Sequence, residues 1–287
     1  MVPVAGRTGA STGPIRRLNN APAIHGGYMS ITSSTWDPAQ YLKFSNERVR
    51  PAFDLLAQVP LETAGHVVDL GCGTGNMTVI LKQRFPGADV LGVDGAETML
   101  AKARAAAPDC RFEQGDFATW VAADPPDLIY SNAALHWVTD HETLFPRLLS
   151  LLAPGGVLAV QMPYMHDAPF RALQNEIARE GPWARYLDDA GYARRLPPVE
   201  TYYDVIRPHV ASLDIWETTY LHLLHGEDAV TEWAAGSSLR PFLDKLPPEQ
   251  AAAYRAAYSA ALRPHYPRRP DGTTLLPFRR FFLVARV

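Results

Sequence analysis

The chain contains very little cysteine. Only Cys72 and Cys110 occur among its 287 residues, too few for a disulfide framework or for a zinc site built on cysteine. The nine histidines show no metal-ligand spacing either, so we expect no bound metal. Scarce cysteine is typical of a reducing compartment, and we therefore expect a cytoplasmic protein.

Long apolar runs and an excess of basic residues are also missing. No apolar run approaches the roughly 18 residues that a membrane-spanning helix needs, so we expect no membrane partner. Lysine and arginine number 27 against 30 aspartates and glutamates. A chain without an overall positive field holds a polyanion poorly, and we expect no nucleic-acid partner. Any anionic ligand must be bound by local charges.

The amino-terminal segment, residues 1–28, has no acidic residue and no periodic apolar pattern. Its glycine, proline, serine and asparagine content predicts disorder. We expect a single domain over residues 29–287. This domain begins with helices over 36–58, because Asp37 and Pro38 form a typical helix start. We interpret these helices as a lid, with a permanently packed helix as the alternative.

Strands and helices alternate between residues 66 and 161. Short apolar runs predict buried strands, and apolar residues spaced three and four apart predict helices. The predicted strands cover 66–70, 90–93, 111–113, 128–131 and 157–161, and the predicted helices cover 77–85, 96–107 and 141–152. Strands separated by helices of this length favour right-handed crossovers and a parallel sheet covered on both faces.

This alternation ends after Met162. Apolar runs predict two further strands, at 215–220 and 281–287. The segments 163–208 and 221–274 are irregular or helical in pattern, and we interpret them as a cap. The predicted fold class is therefore α/β, with a doubly wound, mostly parallel seven-stranded sheet that carries an inserted helical cap.

Three glycines, Gly71, Gly73 and Gly75, alternate between a predicted strand and a predicted helix. Alternate glycines let the backbone turn tightly and approach a ligand that any Cβ would exclude. The dinucleotide-binding fingerprint requires a further glycine where Asn76 stands, so this segment is not that fingerprint. A tight strand-to-helix connection without a ligand is the alternative.

Acidic residues accompany the first two strands. Asp69 lies just before the glycine turn, and Asp94 ends the second strand. A carboxylate at the end of the second strand can accept hydrogen bonds from both hydroxyls of a ribose. An acid within the glycine turn would repel a pyrophosphate but attract a cation. Together the two acids indicate a sulfonium nucleoside that carries an amino-acid tail.

Several motifs together resemble those of class I S-adenosylmethionine-dependent methyltransferases, which have a Rossmann-like fold. They are DLGCGTG at 69–75, Asp94, Gly115-Asp116 after the third strand, and LAPGG at 152–156. This resemblance covers about residues 60–162. Further segments are similar to the trans-aconitate 2-methyltransferase family from about residue 36 to the end. Among them are SNAALHWVTDHETLFP, DIWETTYLH and LRPFL.

The resemblance implies S-adenosylmethionine as the cofactor. Asp94 would bind the ribose, Asp116 and Phe117 would border the adenine, and the glycine turn would pass under the methionine moiety. The implied cofactor-binding residues are Trp36, Tyr41, Asp69, Gly71, Gly73, Gly75, Asp94, Gly95, Met99, Asp116, Phe117, Ser131, Asn132 and Ala133. No catalytic residue is obligatory, and Ser131, Asn132, His136 and Trp137 would position the reactants. For His136 and Trp137, core packing is the alternative.

An acidic methyl acceptor requires binding residues other than those that bind the cofactor. A carboxylate with a pKa of about 4 is already ionised at neutral pH, so the transfer needs no general base. A tricarboxylate does need cationic side chains to bind it. The candidates are Arg48, Arg50, Arg240 and Arg280, with Tyr202 and Tyr203 as hydroxyl donors. For each arginine, a solvated surface position is the alternative.

The resemblance implies methyl transfer to a carboxylate of trans-aconitate, which gives the monomethyl ester and S-adenosylhomocysteine. The expected partner is therefore a small tricarboxylate, and we expect a monomer. An alternative enzyme would methylate another small acid, or a malonyl thioester on a carrier protein. A non-catalytic cofactor-binding regulator is an alternative of a different class. The long cap with its arginines and tyrosines is evidence against this alternative.

Overall fold

The structure is a computed structural model that describes residues 49–187 and 195–287. The predicted disordered segment and the helix start at Asp37 lie outside the described residues. So do three predicted site residues, Trp36, Tyr41 and Arg48. Among the residues that are described, no helix has the length and apolar character needed to cross a membrane.

Seven strands form one sheet with the order β3-β2-β1-β4-β5-β7-β6. The strands are β1 (His66–Leu70), β2 (Asp89–Asp94), β3 (Arg111–Gln114), β4 (Leu128–Asn132), β5 (Val157–Pro163), β6 (Ser212–His225) and β7 (Thr273–Arg286). The first five strands are parallel, and β7 runs antiparallel between β5 and β6. The predicted doubly wound, mostly parallel sheet is confirmed. Its strand order reverses between β1 and β4, and in open α/β sheets ligands bind at the carboxyl edge beside such a reversal.

The described part of the chain also contains nine α-helices. They are α1 (Arg50–Ala57), α2 (Asn76–Arg84), α3 (Glu97–Ala106), α4 (His141–Ser150), α5 (Pro169–Glu180), α6 (Val199–Ile206), α7 (Ala229–Ala235), α8 (Arg240–Leu243) and α9 (Pro248–Leu262). Helix α1 begins with Pro51 in its first turn, where a missing backbone N–H costs nothing. The strands and helices predicted between residues 66 and 161 agree with the structure to within two residues at each boundary.

Successive residues of β1 pack on opposite faces of the sheet. Val68 and Leu70 join a buried cluster with Phe145 of α4, whereas Val67 joins a second cluster with Leu81 of α2. This alternation explains why Val67 and Val68 are both apolar, since both faces of β1 are buried.

The cap has an apolar core of its own. Phe170 of α5 and Tyr254 and Tyr258 of α9 are buried together with Leu276 and Phe278 of β7. The first half of β7 therefore belongs to the cap core, while its second half completes the main sheet.

The last two strands are longer than predicted. Strand β6 covers Ser212–His225 and β7 covers Thr273–Arg286, so the predicted boundaries at 215–220 and 281–287 are wrong. Pro277 hides the strand pattern, because proline is rare inside a sheet. It is tolerated here because β5 pairs with β7 only between Arg280 and Arg286. At Pro277, β6 is the strand that pairs with β7.

Candidate active site

The turn after β1 needs its three glycines for different reasons. All three have positive φ, at 87° for Gly71, 54° for Gly73 and 80° for Gly75. A Cβ added to Gly71 would lie 2.0 Å from Cβ of Ala134, and one added to Gly75 would lie 3.0 Å from Cβ of Ala103. A Cβ on Gly73 would meet no atom within 4 Å. Packing therefore requires Gly71 and disfavours a side chain at Gly75, whereas Gly73 offers open backbone to a ligand.

Asp94 holds this turn against the end of β2. Its Oδ2 accepts a hydrogen bond from the Gly73 N–H at 2.9 Å, and its Oδ1 accepts one from the Ala96 N–H at 2.9 Å. An ionised carboxylate has about four acceptor positions. Two positions therefore stay open for the predicted contact with a ribose diol.

Asp69 lies in the interior below the turn, only 1% exposed. Its Oδ2 accepts a hydrogen bond from the Thr78 hydroxyl at 2.6 Å. The pKa of Asp69 is raised to about 7, mainly by burial; the Thr78 hydrogen bond opposes this rise and the charge of Asp94 adds to it. This location favours a supporting role under the turn over direct contact with a ligand.

A first cleft opens at the carboxyl ends of β2 and β3, with a volume of about 510 Å³. It is lined by Gly95, Gln114, Gly115, Asp116 and Phe117. Of these residues, Gln114 was not predicted from the sequence, although its position at the end of a strand is a signal that could have identified it. Its amide donates to the Gly95 carbonyl at 2.9 Å and so supports the wall of the cleft. Predicted Met99 is 41% exposed on α3.

The end of β4 supplies the next part of the site. Ser131 is buried and its hydroxyl donates to the Leu70 carbonyl at 2.7 Å, so this side chain ties β4 to β1. Asn132 carries a buried Oδ1 without a hydrogen-bond partner among the described residues. Ala133 has a φ of 54°, a conformation that costs a non-glycine residue about 1 kcal/mol or more. Such strain is typical of functional sites.

A second cavity of about 320 Å³ lies between this strand end and the cap. Residues after β4 form one wall, the cap forms another, and β5 and β7 close the site. Its lining comprises Ala133, His136, Trp137, Pro163, Phe170, Arg171, Trp233, Ser237, Ser238, Phe278 and Arg280. Ala134, next to the lining residue Ala133, packs on Gly71. The glycine turn and the second cavity therefore share one wall.

The second cavity carries positive charge. Arg280 is only 7% exposed, and its guanidinium carbon lies 4.4 Å from the centre of the Phe278 ring. Arg171 of α5 is half-buried, and burial lowers the pKa of its guanidinium. Burial, followed by the charges of Arg171, Arg280 and His141, lowers the pKa of His136 to about 3. At neutral pH the cavity therefore presents two guanidinium groups and a neutral imidazole.

The other predicted arginines lie elsewhere. Arg50 has a 66% exposed side chain and lies 3.7 Å from Asp54, and Arg240 has a 73% exposed side chain and lies 3.3 Å from Asp244. Both acids stand four residues beyond their arginines, Asp54 within α1 and Asp244 directly after α8, a spacing at which such pairs form readily. Of the predicted arginines that the structure describes, Arg280 alone lines the second cavity.

The two predicted tyrosines are also placed away from the second cavity. Tyr202 is buried, with its hydroxyl 2.7 Å from Nδ1 of His141. Tyr203, on the same helix α6, is 52% exposed. Arg50, Arg240, Tyr202 and Tyr203 are therefore not among the residues that line the second cavity, and their contact with a substrate stays a prediction. Sequence reasoning did not identify Arg171, since nothing in its local pattern separates it from a surface arginine.

Comparison with known proteins agrees with this geometry. Residues 67–156 match the family model described as "Methyltransferase domain". The chain is 49% identical over 253 residues to the trans-aconitate 2-methyltransferase of Variovorax paradoxus (strain S110), covering 88% of this chain and 98% of that protein. It is 47% identical over 254 residues to the enzyme of the same name from Paracidovorax citrulli (strain AAC00-1), with the same coverage.

A solved structure of the YcgJ protein from Bacillus subtilis has the same fold. It superimposes with a TM-score of 0.56 at 14% sequence identity, covering 83% of this chain and 97% of that chain.

Proposed function

Because the chain belongs to the trans-aconitate 2-methyltransferase family, we propose that this site methylates a carboxylate of trans-aconitate with S-adenosylmethionine. The observation that carries the proposal is the position of the glycine turn between the two clefts, because a Cβ added to Gly71 would lie 3.5 Å from the Phe117 ring of the first cleft and 2.0 Å from Ala134 beside the second. The first cleft adjoins open glycine backbone and an acid, and the second contains Arg171 and Arg280. A cationic cofactor and an anionic acceptor can therefore meet at Ala133.

The residues present fit the cofactor. Open space above Gly73 admits a ligand against the backbone, and the free acceptor positions of Asp94 suit ribose hydroxyls. The cleft of about 510 Å³ beside Asp116 and Phe117 has the size of a small-molecule site. When bound, S-adenosylmethionine supplies an electrophilic methyl group on a sulfonium centre.

The protein's own contribution is to position the reactants and exclude water. The acceptor carboxylate is ionised at neutral pH, so no side chain has to remove a proton. Phe170, Trp233 and Phe278 give the second cavity aromatic walls, and a site with few waters strengthens the attraction between a carboxylate and a guanidinium. Orientation of the two reactants is then the main source of rate acceleration.

The reaction balances without a further reactant. A carboxylate oxygen bonds to the methyl carbon, the carbon–sulfur bond breaks, and its electron pair stays on sulfur. The products are a monomethyl ester and S-adenosylhomocysteine. Purified full-length protein incubated with methyl-labelled S-adenosylmethionine and trans-aconitate should form both in equal amounts, as measured by mass spectrometry. Absence of the ester with folded protein would overturn the proposal.

The compartment and the oligomeric state of the enzyme also belong to this proposal. We place it in the cytoplasm, because its two cysteines are both free and such usage suits a reducing compartment. We propose a monomer that acts on a small molecule. Cell fractionation and light scattering test the two statements separately.

A further inference from the structure

We propose that Arg171 and Arg280 form a subsite for the two acceptor carboxylates that do not react, and that Arg171 determines the preference for a tricarboxylate. This inference rests on the proposed function, since it concerns the same acceptor. It assigns a specificity-determining residue that the sequence alone did not identify.

Arg171 is placed to bind an anion. It stands in the first turn of α5 and lines the second cavity. Its guanidinium carbon lies 5.8 Å from the centre of the Phe170 ring. Within the described ranges 49–187 and 195–287, no carboxylate lies at ion-pair distance from Arg171. A half-buried cation without a protein counter-charge is costly, and an anionic ligand would offset that cost.

Arg280 reaches the same cavity from a different element. It lies on β7 opposite Pro163 of β5, which also lines the cavity. Its Nη1 is 3.5 Å from Oε1 of Gln161, so the guanidinium extends from β7 toward β5. One arginine thus belongs to the cap and the other to the sheet, and together they can hold two carboxylates of one molecule across the cavity.

His136 lines the same cavity but adds no positive charge to the two guanidinium groups. Removal of its ring from water and the two arginine charges keep the imidazole neutral, because they lower its pKa to about 3. Its buried Nδ1 has no hydrogen-bond partner among the described residues. A neutral imidazole can hydrogen-bond a carboxylate without adding a third positive charge.

The charge count explains why two cations suit a methyl acceptor with three carboxylates. A guanidinium bound to the reacting carboxylate would hold the electron density that the oxygen must donate to carbon. Two cations neutralise the two spectator carboxylates and leave the third as the nucleophile. A dicarboxylate acceptor has one spectator group and can use one arginine, and a monocarboxylate has none.

The test compares Arg171→Met with Arg179→Met. Both arginines lie on α5, but Arg179 is exposed and does not line the second cavity. Methionine keeps most of the apolar stem and removes the charge. KM and kcat are measured for trans-aconitate and for a monocarboxylate alkenoate such as crotonate, together with the affinity for S-adenosylhomocysteine.

Arg171→Met should raise KM for trans-aconitate about ten- to hundredfold. It should leave KM for the monocarboxylate and the affinity for S-adenosylhomocysteine within about twofold of wild type, and Arg179→Met should change none of the three. Equal effects of Arg171→Met on both acceptors, or values matching those of Arg179→Met, would overturn the subsite while wild-type turnover still supports the proposed function.

A binding experiment tests the subsite even if the proposed function itself is wrong. Should wild type not methylate trans-aconitate, calorimetric titration of trans-aconitate into protein saturated with S-adenosylhomocysteine still reports on the subsite. Binding to wild type that weakens about tenfold or more in Arg171→Met, with unchanged circular dichroism, supports the subsite. Equal binding to both proteins, or no binding to wild type, contradicts it.

Discussion

The Tyr202 hydroxyl lies 2.7 Å from Nδ1 of His141. Nε2 of the same imidazole lies 2.9 Å from the Leu135 carbonyl oxygen. A carbonyl can only accept, so Nε2 carries the proton and Nδ1 accepts from Tyr202. This buried chain connects helix α6 to the short 3-10 helix Leu135–Trp137, which carries His136 into the second cavity.

Tyr202→Phe should therefore destabilise the protein. The substitution leaves the buried Nδ1 of His141 without its donor, which costs about 1–3 kcal/mol of unfolding free energy. Tyr203→Phe is the matched control, because Tyr203 is 52% exposed on the same helix and should change stability by less than about 0.5 kcal/mol. Urea denaturation measures both. Equal stabilities, with a KM for trans-aconitate that rises in Tyr202→Phe alone, would instead support a direct contact between Tyr202 and the substrate.

Alanine substitutions at two glycines of the turn should have different effects, one on stability and one on cofactor affinity. Gly71→Ala should greatly reduce stability, because its Cβ would lie 2.0 Å from Cβ of Ala134. Gly73→Ala meets no protein atom within 4 Å and should cost about 1–2 kcal/mol from its left-handed backbone alone. Its Cβ does occupy the ligand space, so affinity for S-adenosylhomocysteine should fall at least about tenfold. Thermal unfolding and calorimetry separate the two effects, and unchanged affinity in Gly73→Ala would place the cofactor elsewhere.

Asp69 predicts a pH-dependent loss of stability. In the folded protein its pKa is about 7, whereas an unfolded aspartate titrates at about 3.9. Between about pH 4 and pH 7 the folded state holds a proton that the unfolded state has released, so this group's contribution to stability falls as pH rises. Asp69→Asn lacks the titration.

The unfolding free energy of wild type minus that of Asp69→Asn should therefore decrease by a few kcal/mol across that window and level off above it. Urea denaturation at a series of pH values measures this difference. A constant difference from pH 4 to pH 7 would show that Asp69 is ionised in the folded state throughout.

We expect no titration of His136 in the pH profile of kcat/KM. With its pKa lowered to about 3 by burial and by the two arginines, the imidazole stays neutral across the range in which histidine usually titrates. His136→Gln keeps a neutral polar group, so log kcat/KM for trans-aconitate should follow the same course in both proteins between pH 5.5 and pH 8. An inflection near pH 6.5 that the glutamine variant lacks would mean that a charged His136 takes part.

The sheet and the cofactor edge were predictable because their signals are local. The apolar run of β1 ends at the glycine turn and β2 ends at Asp94. The carboxyl ends of parallel strands meet at one edge, so residues at these ends must be close in space.

The acceptor cavity was not predictable in the same way. Arg171 and Arg280 are more than 100 residues apart, and only the packing of α5 against β7 and the other cap elements places both at one cavity. The role of Tyr202 depends on His141, which lies 61 residues away in the chain. The first half of β7 was hidden by Pro277, since the absence of a β5 partner at that position cannot be read from local sequence.

The most direct test of the account is a competition between acceptors. Purified full-length protein receives methyl-labelled S-adenosylmethionine and equal concentrations of trans-aconitate, a monocarboxylate alkenoate and a malonyl thioester on an acyl carrier protein, and mass spectrometry follows the label. We expect trans-aconitate monomethyl ester to take most of the label, because only this acceptor has two spectator carboxylates for Arg171 and Arg280. Label found mainly on the carrier-bound thioester or on the monocarboxylate would contradict it.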